Sequence, residues 1–198
     1  MKYPINRLFE GITVKGNIYA GMVQRLLLVM GFYTICRISF YLFNLSFFPD
    51  MTWARMATIM LGGLKFDLSA VLYINSLLIL LTIIPLKTRF HPLYQKMLHY
   101  IFIITNGIGL AVNVADSVYY RYTLRRTTIS VFSQFENEQN FGALFFSFLI
   151  DYWYGFVFFF ILLFLFIKLS NRIRISVPQF KNKWMFYGIS VALMPLII

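Results

Sequence analysis

The chain has 198 residues, of which 60% are hydrophobic, 20% aromatic and only 13% charged, and its formal net charge is +11. Soluble globular domains carry about 25% charged residues, so polar surface is too scarce here to wrap a water-facing globule, and lipid must supply the outer solvent. The basic residues fall in short clusters between apolar runs, a pattern of membrane topology and anionic-lipid contact rather than of nucleic-acid binding.

In chain order, the N-terminal stretch MKYPINRLFEGITVKGNIYAGMVQR is basic and long. The apolar run behind it has no small-residue cleavage pattern before Arg37, so it reads as an anchor and not as a cleaved signal. A helix rises ~1.5 Å per residue and must cross a hydrocarbon core of ~30 Å, which takes about 20 apolar residues. The first segment to meet this covers residues 21–43, with Arg25 placed to snorkel and Arg37 inside it. Insertion scales put the cost of a charge deep in a span at about 2.5–3.5 kcal/mol. Either Arg37 is functional, or the span sits a few residues earlier and Arg37 reaches the boundary near Asp50 or Asp67. Cys36, the single cysteine, lies in the same segment, which excludes an intrachain disulfide framework and a thiolate metal cluster.

The connection 46–65 contains Pro49, Trp53, Arg55 and the apolar WARMATIMLGGL, too short to span but long enough for about three helical turns. An interfacial helix ending at Gly62 and Gly63 is expected there, with KFD setting Lys65 and Asp67 at the membrane boundary. DLSAVLYINSLLILLTIIPL, residues 67–86, is the second span, and MLHYIFIITNGIGLAVNVA, residues 97–115, is the third. Behind it come DSVYYRYTLRRTT, residues 116–128, the acidic FENEQN, and the phenylalanine-rich NFGALFFSFLI, which predicts a second interfacial helix. YWYGFVFFFILLFLFI, residues 152–167, makes a fourth span with interface-loving tyrosines and tryptophan, and WMFYGISVALMPLII, residues 184–198, reads as a fifth cut short.

Lys and Arg number twelve in the loops on the N-terminal side and five on the other, with Arg37 inside a span, so the positive-inside rule predicts a cytoplasmic N-terminus. The expected fold is therefore an all-α polytopic membrane protein, with four full transmembrane helices, the start of a fifth, and short interfacial helices on the extracytoplasmic side. That orientation puts residues 116–128 outside, against the usual charge bias, so their arginines need a reason. In a helix Arg121 and Arg125 share a face, and guanidinium groups hold phosphate in a rigid two-pronged geometry that strengthens where water is partly excluded. Two readings stand: the cluster holds a lipid phosphate, or Arg121, Arg125 and Arg126 pair with Asp116, Glu136 and Glu138.

The rest of the chain offers no chemistry of its own. His91 and His99 lie in or beside an inner loop without an acidic partner and read as polar flanks, and no serine or threonine is assigned a histidine base. No glycine-rich phosphate loop, inverted repeat or pair of broken spans supports a nucleotide-driven pump or a repeat-built transporter. No catalytic or metal-ligating residue is assigned.

GGLKFDLSAVLYINSLLILLTIIP followed by NVADSVYYRYTLRRTTISVFSQFENE resembles the membrane domain of the lipoteichoic acid synthase-like proteins, a branch of the alkaline phosphatase and sulfatase superfamily, in its Bacteroidetes form. The resemblance implies that residues 1–198 are a five-span anchor in a bacterial inner membrane, with the chain leading to the periplasm. It further implies a downstream extracytoplasmic domain with a threonine nucleophile and a divalent metal, manganese or zinc, which transfers a phosphoglycerol-type headgroup or hydrolyses phosphate or sulfate esters. This segment alone is then expected to be inactive and to bind no cofactor. Its partners would be that catalytic domain and membrane lipids, above all anionic phospholipid. The resemblance favours headgroup binding by Lys65, Asp67, Asp116, Tyr120, Arg121, Arg125 and Arg126. The competing expectation is a small self-contained transporter, channel or non-enzymatic membrane subunit.

Overall fold

The computed structural model describes residues 13–14, 18–84, 91–124 and 150–175. In chain order these form β1 (Thr13–Val14), α1 (Ile18–Phe43), a 3-10 turn (Leu45–Phe47), α2 (Trp53–Ile74), α3 (Ser76–Ile83), α4 (Pro92–Thr123), α5 (Trp153–Ser170) and β2 (Arg174–Ile175). The two strands are a single two-residue parallel pairing, and the other described residues are helix or short connections. Helices α1, α2, α4 and α5 are long and apolar enough to cross a membrane. The chain is an all-α, multi-pass membrane protein. The expected fifth span, residues 184–198, and nearly all of the phenylalanine-rich stretch after residue 139 lie outside the described residues.

Local chemistry accounts for most helix boundaries. Asn44 stops α1, and its side-chain amide donates back to the carbonyl of Phe40 at 2.9 Å. Pro49 then has no N–H to offer the chain, and α2 begins after Thr52, whose hydroxyl accepts the Arg55 amide at 3.4 Å and caps it. Pro92 opens α4 at a position where its missing N–H costs nothing, with the His91 ring nitrogen accepting the Leu93 amide at 3.3 Å. At the far end Leu124 takes a left-handed φ of 52° and returns its amide to the Tyr120 carbonyl.

One boundary differs from expectation. WARMATIMLGGL is not a separate interfacial helix but the first half of α2, and Gly62 and Gly63 lie inside that helix. Two glycines cost roughly 1 kcal/mol each in a helix, and a tertiary contact at Gly63, described below, outweighs this. At Asn75 the helix is interrupted instead, because the Asn75 side-chain amide competes for the Val71 carbonyl that its own backbone amide also uses.

The described residues divide into two compact units. One draws on Met1–Val29, Ser69–Asn106 and Phe166–Ile198, the other on Met30–Leu68 and Gly107–Leu165. In the first, Ile18, Tyr19 and Met22 of α1 pack with Ile79 and Ile83 of α3, and Phe102 of α4 meets Phe166 of α5 at 5.4 Å. Asn75 and Asn106, both fully buried, exchange side-chain hydrogen bonds of 2.9 and 2.8 Å. In the second, Phe32, Tyr33 and Cys36 of α1 are buried together with Leu110, Val114 and Val118 of α4 and Leu162 of α5. Gly155 lets α5 approach α4 closely, since a Cβ there would stand 2.9 Å from Val118. Outward-facing Leu27, Ile108, Phe160 and Phe164 are each more than 60% exposed, a surface that hydrocarbon solvates.

The Asn75–Asn106 exchange yields a quantitative expectation. In a double-mutant cycle with Asn75→Ala and Asn106→Ala, unfolding in mixed micelles should show a coupling between about 0.6 and 1.7 kcal/mol, the average and the maximum for polar pairs between membrane helices. A coupling indistinguishable from zero would mean the two amides do not bond to each other.

Candidate functional site

Every feature in this section belongs to the unit formed by residues 30–68 and 107–165. Its innermost element is an ion pair. Arg37 of α1 reaches across to α2, where its Nη2 donates to the Asp67 carboxylate and, at 2.9 Å, to the Gly63 carbonyl. The guanidinium lies so close to the backbone that a Cβ on Gly63 would overlap Nη1, 1.4 Å away. That is the contact that keeps glycine inside α2. Asp67 Oδ2, Arg37 Nε and the Tyr33 hydroxyl are buried without a protein hydrogen-bond partner. They line, with Cys36, Phe40, Asn113 and Asp116, a cavity of about 20 Å³, room for a single water molecule.

Around α4 the aromatic residues form a second layer. Tyr120 lies one helical turn beyond Asp116 on the same face. Its ring meets Phe40 edge-on at 5.0 Å and Phe47 edge-on at 6.1 Å, and stacks on Phe48 at 6.0 Å with 12° between planes. Contacts of this kind are each worth about 0.5–1.5 kcal/mol; those to Phe47 and Phe48 fasten the 3-10 turn to the end of α4, and the one to Phe40 ties α4 to α1. Fully buried Asn44 adds a hydrogen bond of 2.9 Å to the Ser117 carbonyl. The neighbouring Arg121 is exposed and donates at 3.4 Å to the hydroxyl of Tyr154, whose ring rests 5.7 Å from Phe43.

The turn so anchored forms one wall of an open groove of about 530 Å³. Phe47, Phe48, Pro49, Met51, Ala54 and Ile59 give it an apolar lining, while Asp50, Arg55 and Thr58 supply polar groups. Arg55 Nη1 donates to the Asp50 carbonyl at 3.1 Å, so the cation is held by a neutral partner and keeps its charge and remaining donors for an anion. Arg121, bonded to a phenol, is in the same position.

The seven residues expected from sequence therefore fall into different settings. Asp67 and Asp116 share the small cavity, Tyr120 backs the groove through Phe47 and Phe48, and Arg121 sits exposed beside it in sequence. Lys65 is exposed, two residues from Asp67 on α2 and hence on a different face. Arg125 and Arg126 lie outside the described residues. Two arginines emerge that were not in the set, Arg37 as the partner of Asp67 and Arg55 as the groove's cation. The signal for Arg55 was its place just after FFPD, where a proline-stopped turn and a helix start bring aromatic rings and a cation together. Among the described residues no group of three His, Cys, Asp or Glu side chains gathers at metal-binding distance. Comparison with protein-family models, with curated proteins and with solved structures finds no match for the chain.

The pair carries its own prediction. Asp67→Leu alone leaves a buried guanidinium uncompensated and should lower unfolding stability by about 3–5 kcal/mol. Arg37→Met combined with Asp67→Leu should recover most of that loss, because two apolar side chains need no partner. Gly63→Ala should also destabilise, but less than losing Asp67, since it forces only the end of the flexible Arg37 side chain to shift. Thermal unfolding of the three variants in one detergent checks the ranking, and a double variant no better than Asp67→Leu would contradict it.

Proposed function

We propose that the chain is the membrane domain of an envelope phosphotransferase or sulfatase-like enzyme of the lipoteichoic acid synthase-like kind. In this reading it holds an anionic lipid at the extracytoplasmic face of a bacterial inner membrane for a catalytic domain that lies farther along the polypeptide. The observation that carries the proposal is the groove between Phe47 and Ile59, which joins an apolar lining to a guanidinium with donors to spare. A lipid substrate presents the same pairing of hydrocarbon and phosphate, and bidentate arginine contacts suit phosphate geometry. Arg121 supports it as a second cation tied to a neutral partner.

Two sequence features support the orientation and the family. The Lys and Arg count favours a cytoplasmic N-terminus, which sets the connection after α1 and the end of α4 outside. The family reading rests on the GGLKFDLSAV and DSVYYRYTLRRTT resemblance. A self-contained transporter is the second reading, and the observation in its favour is the buried Arg37–Asp67 pair with Asp116, since ionisable groups inside membrane helices commonly mark transport paths. The cavity beside them, about 20 Å³, has room for no more than one water, which favours a structural pair over a solute route.

In the whole enzyme, Arg55→Ala and Arg121→Ala should each lower kcat/KM on a lipid substrate by about tenfold or more, the worth of a hydrogen bond to a charged group. Turnover of a soluble phosphate or sulfate ester should stay unchanged. Equal losses on both substrates, or no loss on either, would reject headgroup holding. A whole protein with no metal-dependent ester chemistry at all would favour the transport reading instead.

A further inference from the structure

The other unit has a contrasting electrostatic character. The segments 1–29, 69–106 and 166–198 carry twelve of the chain's Lys and Arg residues and one acid, Glu10. None of the described residues among them is Asp or Glu. The described part of this unit thus supplies its cations with no Asp or Glu side chain. Arg25 solves this by burial over an aromatic face, with its guanidinium 5.8 Å from the Phe102 ring centroid. Arg172 does not. Among the described residues its guanidinium has neither a hydrogen bond nor an ion pair, and it is exposed.

Its position is nevertheless well defined. After α5 the backbone makes two successive tight turns, Arg172 N–H to the Leu169 carbonyl and Ile173 N–H to the Ser170 carbonyl, both 3.1 Å. The Asn171 side chain is tied to the His99 ring at 2.7 Å, and Arg174 and Ile175 pair in parallel with Thr13 and Val14. The chain on both sides of Arg172 is thus pinned. Here it lines a groove of about 390 Å³ together with Gln24, Leu27, Leu28, Leu169 and Ile173. Four of the six are aliphatic, one is an amide able to donate, and one is an unpaired cation.

We infer that this groove binds an anionic phospholipid, an acyl chain lying along Leu27, Leu28 and Leu169 and the phosphate meeting Arg172. Charge complementarity selects the occupant: the aliphatic floor accepts any lipid tail, but the Arg172 guanidinium in a groove lined by no acidic side chain favours a headgroup with net negative charge. Gln24 offers its amide N–H to the ester or hydroxyl oxygens of the headgroup. The site shares no residue with the groove between Phe47 and Ile59 and stands whether or not the function proposed above is correct.

The test is photo-crosslinking of the full chain in nanodiscs of phosphatidylcholine, with a trace phosphatidylglycerol probe carrying a photoreactive group on an acyl chain, followed by peptide mapping. Labelling is expected on the peptides holding Leu27 and Leu28 and Leu169, displaced by unlabelled phosphatidylglycerol far better than by added phosphatidylcholine. Arg172→Gln should reduce labelling there about fivefold, the attraction of one cation near an anionic headgroup, whereas Arg172→Lys should retain most of it. Arg121→Gln should leave these peptides labelled as before. Labelling unchanged in Arg172→Gln, or displaced equally by both lipids, would overturn the site. Displacement by inorganic phosphate alone would show a free-anion site and also overturn it.

Discussion

No water is at hand inside a bilayer to satisfy a polar group, so each buried donor, acceptor or charge must find its partner within the protein. In the second unit this constraint centres on Arg37. Its charge calls for Asp67, and its bulk calls for a bare Cα at Gly63. Together these demands keep α2 helical through a Gly-Gly pair and set the register of α1 against α2. A hydrophobic substitute would pack as well or better at that depth. What the pair adds is specificity, because α2 meets Arg37 with both the carbonyl of Gly63 and the carboxylate of Asp67 only in one rotation and one offset.

The asparagines apply the same rule in a milder form. The Asn44 and Asn106 side-chain amides each donate to a carbonyl one turn back on their own helix and to a group on another helix, so each polar side chain joins two elements. Asn75 does likewise and interrupts its helix in doing so. The aromatic contacts of Tyr120 then hold the 3-10 turn in place, and the turn in its place shapes the groove. A site suited to an amphiphilic anion is in this way a consequence of how the unit satisfies its buried polar groups.

The charge distribution separates the roles of the two units. Where acids are present, arginines are either neutralised, as Arg37 is, or kept by neutral partners, as Arg55 and Arg121 are. Where acids are lacking, a cation is buried against an aromatic ring or left open beside aliphatic side chains. In both units an uncommitted guanidinium adjoins apolar lining, the combination that a phospholipid complements.

Much of this was legible from residue order alone. Composition excluded a soluble fold and apolar runs of sufficient length marked four spans, because these depend on lipid as solvent. The sequence also singled out Arg37 and offered Asp50 and Asp67 as its partners, but periodicity cannot choose between two acids on one connection. Only the tertiary structure decided for Asp67, carried α2 back to Trp53, and turned FFPDMTWAR from a connection into a groove wall. The physical reason is the same in each case. A guanidinium's partner, a glycine's close contact and an aromatic stack are relations between helices far apart in the chain, and their energies, a few kcal/mol each, exceed the local propensities from which a sequence is read.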